Sequence, residues 1–156
     1  MRLSWSKILP EAYKAMIGMQ KIADETSIEP KLMELVKIRA SQINGCAHCL
    51  DMHTKDSVAI GENEQRIHVL PAWREAPFYS ERERAALTWC EALTNISETG
   101  APDEVYENLK KLFSSEEIVK LTLEIILING WNRLAIGFRS PVGNYVSHRA
   151  NVEQRN

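Results

Sequence analysis

No apolar run in the 156-residue chain approaches the roughly 20 residues that a membrane span requires. The opening stretch, MRLSWSKILPEAYK, also lacks the apolar segment of about 7–15 residues that a secretory signal needs. Charge of one sign is missing too: 19 Lys and Arg stand against 21 Asp and Glu, a net charge of −2. A balance this even leaves no footprint for nucleic acid or for an anionic membrane surface. Glycine (7) and proline (6) are few and fall mostly at segment ends, and period-2 runs of β-branched residues are absent. Strands are therefore not expected, and helix is favoured throughout. At this length one domain is expected, an all-α helical bundle of about six to eight helices. The absences together point to the cytoplasm, where stable structural disulfides are rare.

Cysteine is limited to three, and two of them, Cys46 and Cys49, fall in the stretch ELVKIRASQINGCAHCLDMH from Glu34 to His53. The same stretch holds His48 and His53, two of the four histidines, and places Glu34 inside a largely apolar run. A Cys-x-x-Cys pair in a reducing compartment is more often a metal clip or a redox pair than a structural bridge. The flanking sequence reads as helices that hold this segment. One helix is expected over Pro10–Asp24 and a second, opened by Pro30 at its first position, over Lys31–Ile43. Asn44-Gly45 is a break, followed by a helix from near Cys46 to Ala59. A shorter helix is expected over 63–75. Ser80 with Glu83, and Ser114 with Glu117, are capping-box signals that open two further helices. The second of these is apolar almost all round, which predicts a buried central helix or an oligomer seam. The polar tail after Pro141 is expected to fray or to bind a partner.

At about 100° per residue, a helix starting at Cys46 puts Cys46, Cys49 and His53 on one stripe and turns His48 to the far side. That projection is weakest in the first turn, where helices fray, so His48 stays a candidate. Partners at i and i+3 have Cβ atoms about 5–6 Å apart, wider than the roughly 3.5–4.5 Å a disulfide prefers, so the bridge should be reversible. A helix amino terminus also favours the thiolate. Its benefit is limited. At pH 7, lowering a thiol pKa from about 8.5 to about 6 raises the ionised fraction roughly 30-fold. The accompanying loss of nucleophilicity returns about tenfold, leaving about threefold. A proton relay is worth about 10²–10⁴. Magnitude therefore makes His53, with a carboxylate behind it, more valuable than the dipole.

The spacing Glu34-x11-Cys46-x-His48-Cys49-x3-His53 resembles the core motif of alkylhydroperoxidase D-like proteins of the carboxymuconolactone decarboxylase superfamily. The stretches WREAPFYSERERAALTWCEALT and INGWNRLAIGFRSPVG are similar to the same family. The resemblance implies an all-helical, oligomeric, thiol-dependent peroxidase, a trimer or hexamer that needs no metal or other cofactor. It implies Cys49 as the peroxidatic thiol, Cys46 as the resolving partner, and Glu34, His48 and His53 as the proton relay. The substrate would be hydrogen peroxide or an organic hydroperoxide, and a dihydrolipoyl-type or other thiol reductant would be the electron donor. The relay argument agrees on Cys49, since His53 is one turn from it and nearly two turns from Cys46.

Two other readings stand beside this one. The first is a zinc clip in which Cys46, Cys49 and His53 ligate one ion with Glu34 or His48 as the fourth ligand. The second is a non-enzymatic redox sensor on the same scaffold, although a sensor needs no proton relay. Glu34 alone would read as a surface residue paired with Lys31 or Lys37. His48 reads equally as a solvated or supporting residue. Cys90, beside Trp89 and Leu93, reads as an inert core thiol.

Overall fold

Proline and serine punctuate the chain where helices begin. The computed structural model describes residues 1–149, and these form nine α-helices and no strand. Helix α1 (Trp5–Ile8) is a single turn, and α2 (Pro10–Asp24) follows with Pro10 in its first turn. Helix α3 (Pro30–Asn44) opens on Pro30, whose fixed φ suits the first helical position and whose missing N–H costs nothing there. It stops at Gly45, which takes φ +69°, a left-handed conformation that Gly adopts without a Cβ penalty. Helix α4 (Ala47–Ala59) then turns back along α3.

Helix α5 (Glu64–His68) and a 3₁₀ turn (Leu70–Ala72) replace the single helix expected over 63–75, because Pro71 cannot continue an α-helical ladder. Helix α6 (Glu81–Thr94) and helix α9 (Ser115–Phe138) both open on complete capping boxes, Ser80 with Glu83 and Ser114 with Glu117. Between them lie α7 (Ile96–Thr99) and α8 (Asp103–Lys110). Nine helices exceed the expected six to eight. Two of them, α1 and α7, are single turns too short to leave a periodic signal.

Helix α3 is the most enclosed element, with nine of its fifteen residues buried, against nine of twenty-four in α9. Of the two expectations for α9, a buried central helix or an oligomer seam, the first fits α3 better. One face of α3 (Leu32, Met33, Val36, Ala40) packs with α6, α8 and α9, and a second face (Leu35, Ile38) packs on Leu70, Trp73 and Leu87. Each fully buried Leu or Ile here contributes roughly 1.5–3 kcal/mol. The third face is polar and also buried: Glu34, Lys37 and Ser41 recur at i, i+3 and i+7. They face polar groups of α9, where Asn132 donates to Ser41 Oγ at 3.0 Å and Lys37 approaches Glu124. Asn44 extends the seam by donating to Asn129 and Asn132 at 2.9 and 2.8 Å.

The segment after α9 does not fray over its described part. Gly143 N–H donates to Asp51, Lys55 donates to the Tyr145 carbonyl, and the Tyr145 hydroxyl donates to Asp56 at 2.9 Å. Residues 141–149 thus form a strap along α4. None of the helices is long and apolar enough to cross a membrane.

Candidate active site

The break at Gly45 sets α4 antiparallel beside α3 and brings Glu34 to His53 across 19 positions of sequence. His53 Nδ1–H donates to Glu34 Oε2 at 2.9 Å. With Nδ1 so engaged, Nε2 is the nitrogen left to accept a proton. Glu34 is fully buried, not the surface residue an isolated reading would make it. Lys31 is not its partner, since that ammonium donates to the Gly61 carbonyl. Lys37 and Arg149 each lie 3.2 Å from Glu34 Oε1. Burial alone would push this carboxyl up. The His53 hydrogen bond and the nearby cations outweigh it and hold the pKa at about 2.

Cys46 sits just outside α4 as its N-cap, in an extended conformation, and its sulfur accepts from Cys49 N–H at 3.4 Å. The two cysteines are paired as a disulfide with Cα atoms 5.4 Å apart. Because the helix starts at Ala47, the angular projection fails for Cys46 itself, which caps the helix from outside. His48 does not point away from Cys49 and His53. It lines the same cavity as both, held by an Nδ1–H bond of 2.6 Å to the Pro141 carbonyl of the strap.

That cavity has a volume of about 360 Å³. Cys49 lines it and Cys46 does not. Its apolar wall is an aromatic cluster of Trp5, Tyr13 and Trp131, with ring centroids 5.8–6.2 Å apart. Trp131 belongs to this wall, whereas Asn129 and Asn132 belong to the seam. Another wall holds buried charges, of which the sequence names only Lys37, as a surface partner of Glu34. Lys37, only 3% exposed, stands between Glu34, Glu124 (3.7 Å) and Asp24 (3.8 Å). Burial lowers its pKa, but these carboxylates raise it further, so it stays charged. Glu124 accepts from Gln20 at 2.8 Å, and its burial pushes its carboxyl up. Asp56, also buried, accepts from Tyr145 and lies 3.7 Å from Arg149. One signal for Glu124 was available: an acid inside the apolar run LTLEIILI is as anomalous as Glu34 in its own run.

Glu34, His53 and Asp56 have ligand-type atoms within 4.8 Å of one another. The Arg149 guanidinium lies against both carboxylates, and its cation supplies the countercharge a metal ion would bring. Cys90 has no part in the site. It is fully buried on α6, donates to the Val36 carbonyl, and burial pushes its thiol up to about 12.

Known proteins share this architecture. Residues 10–92 match the profile of the carboxymuconolactone decarboxylase family. An uncharacterized Bacillus subtilis protein, YdfG, is 47% identical over 135 residues, 86% of this chain and 92% of its own. The crystal structure of an Agrobacterium tumefaciens protein of unknown function, suggested to be the antioxidant defence protein AhpD, superposes with a TM-score of 0.88. It is 48% identical and the match covers 92% of this chain and 99% of that one. The debrominase Bmp8, 23% identical with a TM-score of 0.76 over 86% of this chain and 73% of its own, shares the fold. The chain belongs to the carboxymuconolactone decarboxylase family, on its alkylhydroperoxidase D-like side.

Proposed function

We propose that the protein is a thiol-dependent peroxidase. The observation that carries this reading is that Cys49 and His53 share one cavity wall while Glu34 anchors His53 from behind. In the reduced enzyme, His53 Nε2 takes the Cys49 thiol proton, and buried Glu34 stabilises the resulting imidazolium. The Cys49 thiolate attacks the terminal oxygen of a hydroperoxide. An S–O bond forms, the O–O bond breaks, and the products are Cys49 sulfenic acid and an alkoxide that leaves as the alcohol once protonated. The Cys46 thiol then displaces hydroxide from Cys49, giving the disulfide and water. Two electrons and two protons from an external dithiol, of dihydrolipoyl or similar type, restore both thiols.

The cavity supports an organic hydroperoxide over hydrogen peroxide. Its 360 Å³ and aromatic wall far exceed the roughly 10–15 Å³ of cavity that a single water-sized molecule needs. A cycle that needs constant re-reduction suits the cytoplasm. Homo-oligomerisation belongs to the same reading, since α9 leaves Val119 and Ile126 more than half exposed.

The test is consumption of tert-butyl hydroperoxide with dithiothreitol or a dihydrolipoyl protein as donor, with metal content measured on the same sample. Turnover by metal-free protein that vanishes in Cys49→Ser is expected. Inactivity with every donor, or stoichiometric zinc bound to reduced thiols, would overturn the assignment in favour of a sensor or a metal clip.

A further inference from the structure

Two buried carboxylates flank one ammonium beside this cavity, and their surroundings differ. Glu34 receives His53 at 2.9 Å, Lys37 at 3.2 Å and Arg149 at 3.2 Å. Glu124 receives only the neutral amide of Gln20 at 2.8 Å, with Lys37 farther off at 3.7 Å. The groups facing Glu124 are Lys37 of α3, Gln20 and Asp24 of α2, and His53 of α4. Lys37 can offset one negative charge, and Glu34 is closer to it. Asp24 adds a second carboxylate 3.8 Å from the same ammonium. An ionised Glu124 would be a buried, under-compensated charge, which is costly. The lower cost is to keep it protonated, and its raised pKa agrees.

Position gives that proton a use. Glu124 is 1% exposed to bulk solvent yet lines the cavity that Cys49 and His53 also line, whereas Glu34 stands behind His53. Gln20, itself accepting from Trp131 at 3.2 Å, fixes the Glu124 carboxyl against the aromatic wall. Paired titratable groups whose environments drive them apart divide into base and acid.

We propose that Glu124 is the general acid of the reaction, holding a proton at the cavity wall and delivering it to the leaving oxygen. This deepens the thiol-peroxidase reading and rests on it. The Glu34–His53 pair then serves only as the base. The thiol proton passes to His53, the thiolate takes the terminal oxygen of the hydroperoxide, and the departing alkoxide takes the Glu124 proton to leave as alcohol. His53 then holds the proton that Glu124 has lost. Transfer between them, through water or by way of Lys37, resets both groups, so the net step is thiol plus hydroperoxide to sulfenic acid plus alcohol.

A general acid matters only when the leaving group is a poor one, which makes the test specific. Single-turnover oxidation of reduced protein is followed in wild type and Glu124→Gln with tert-butyl hydroperoxide and with peracetic acid. The first leaves as a strongly basic alkoxide, and the second as acetate, which needs no proton. Glu124→Gln should slow the first reaction about 100-fold and the second less than about threefold. Alkylation of Cys49 by iodoacetamide should not change. Equal slowing with both oxidants, or none with either, overturns the proposal. So does a slowed alkylation, which would place Glu124 in thiol activation instead. Should Glu124→Gln fail to fold, wild type alone decides across hydroperoxides of graded leaving-alcohol acidity. A nearly flat rate supports the acid and a steep one refutes it. Wild type that oxidises Cys49 with none of these reagents refutes the peroxidase reading itself, and the acid assignment with it.

Discussion

His53 and Glu34 are joined through Nδ1–H to Oε2 at 2.9 Å, from two helices packed side by side, with the carboxylate fully enclosed and the imidazole at the cavity wall. The carboxylate fixes both the tautomer and the orientation of the ring. Charge that develops on His53 is met by a group that cannot turn away to water.

Glu34→Gln and His53→Gln should each lower peroxide turnover by about 10²–10⁴ while the fold survives. The double variant should be little worse than either single one, because the two act as a unit. Steady-state kinetics on all three, with circular dichroism as the folding control, checks this. Near-normal turnover in either single variant removes that residue from the mechanism.

Sulfenic acid should form on Cys49. After one equivalent of peroxide, a dimedone-type probe should label Cys46→Ser at Cys49 and leave Cys49→Ser unlabelled, by mass mapping. Cavity access agrees, since Cys49 faces the cavity and Cys46 does not. The reverse pattern would mean that proximity to the helix amino terminus selects the nucleophile.

Thiol counting should separate the third cysteine from the pair. Mild oxidation should remove two thiols per chain as a Cys46–Cys49 bridge, and Cys90 should react only after unfolding. Its full burial and a pKa near 12 keep it protonated and shielded. A mixed bridge to Cys90 would contradict the structure.

Acid should loosen the fold through Glu34. Its carboxyl moves from 4.5 when unfolded to about 2 when folded. A lowered pKa contributes stability that is complete above about pH 4.5 and lost as pH falls toward 2, on the order of 3 kcal/mol in full. Glu124 is shifted upward and has the opposite sign: what it contributes is present at low pH and lost as pH rises through its folded value. Acid unfolding followed by circular dichroism should therefore be blunted in Glu34→Gln and not in Glu124→Gln. At neutral pH the first variant should be the less stable, since it leaves Lys37 and Arg149 short of a partner.

Much of this was legible in the residues, and the misses have causes. Pro30, Gly45 and the two capping boxes marked helix ends because each acts through its own local backbone. Glu34, Cys46, Cys49 and His53 were legible through fixed spacing. Asp56, Glu124 and Arg149 were not, because their pairing depends on separate helices and the strap meeting at one wall, and Lys37 was legible only as a surface partner of Glu34. His48 was turned aside by the angular projection, yet it lines the cavity because the Pro141 carbonyl of the strap holds its ring there. The stretch after Pro141 looked solvated because its polar groups were counted as surface, when several of them bond α4.

The two ends of the described chain converge on the same opening. Near the start, Arg2 bonds the Phe138 and Gly137 carbonyls, and Trp5 packs tilted against Trp131. Near the other end, Pro141 holds His48, and Arg149 reaches Glu34. A purification tag fused ahead of Met1 is therefore no neutral handle, because it would stand a few residues from the Trp5–Trp131 wall of the cavity that Cys49 and His53 line.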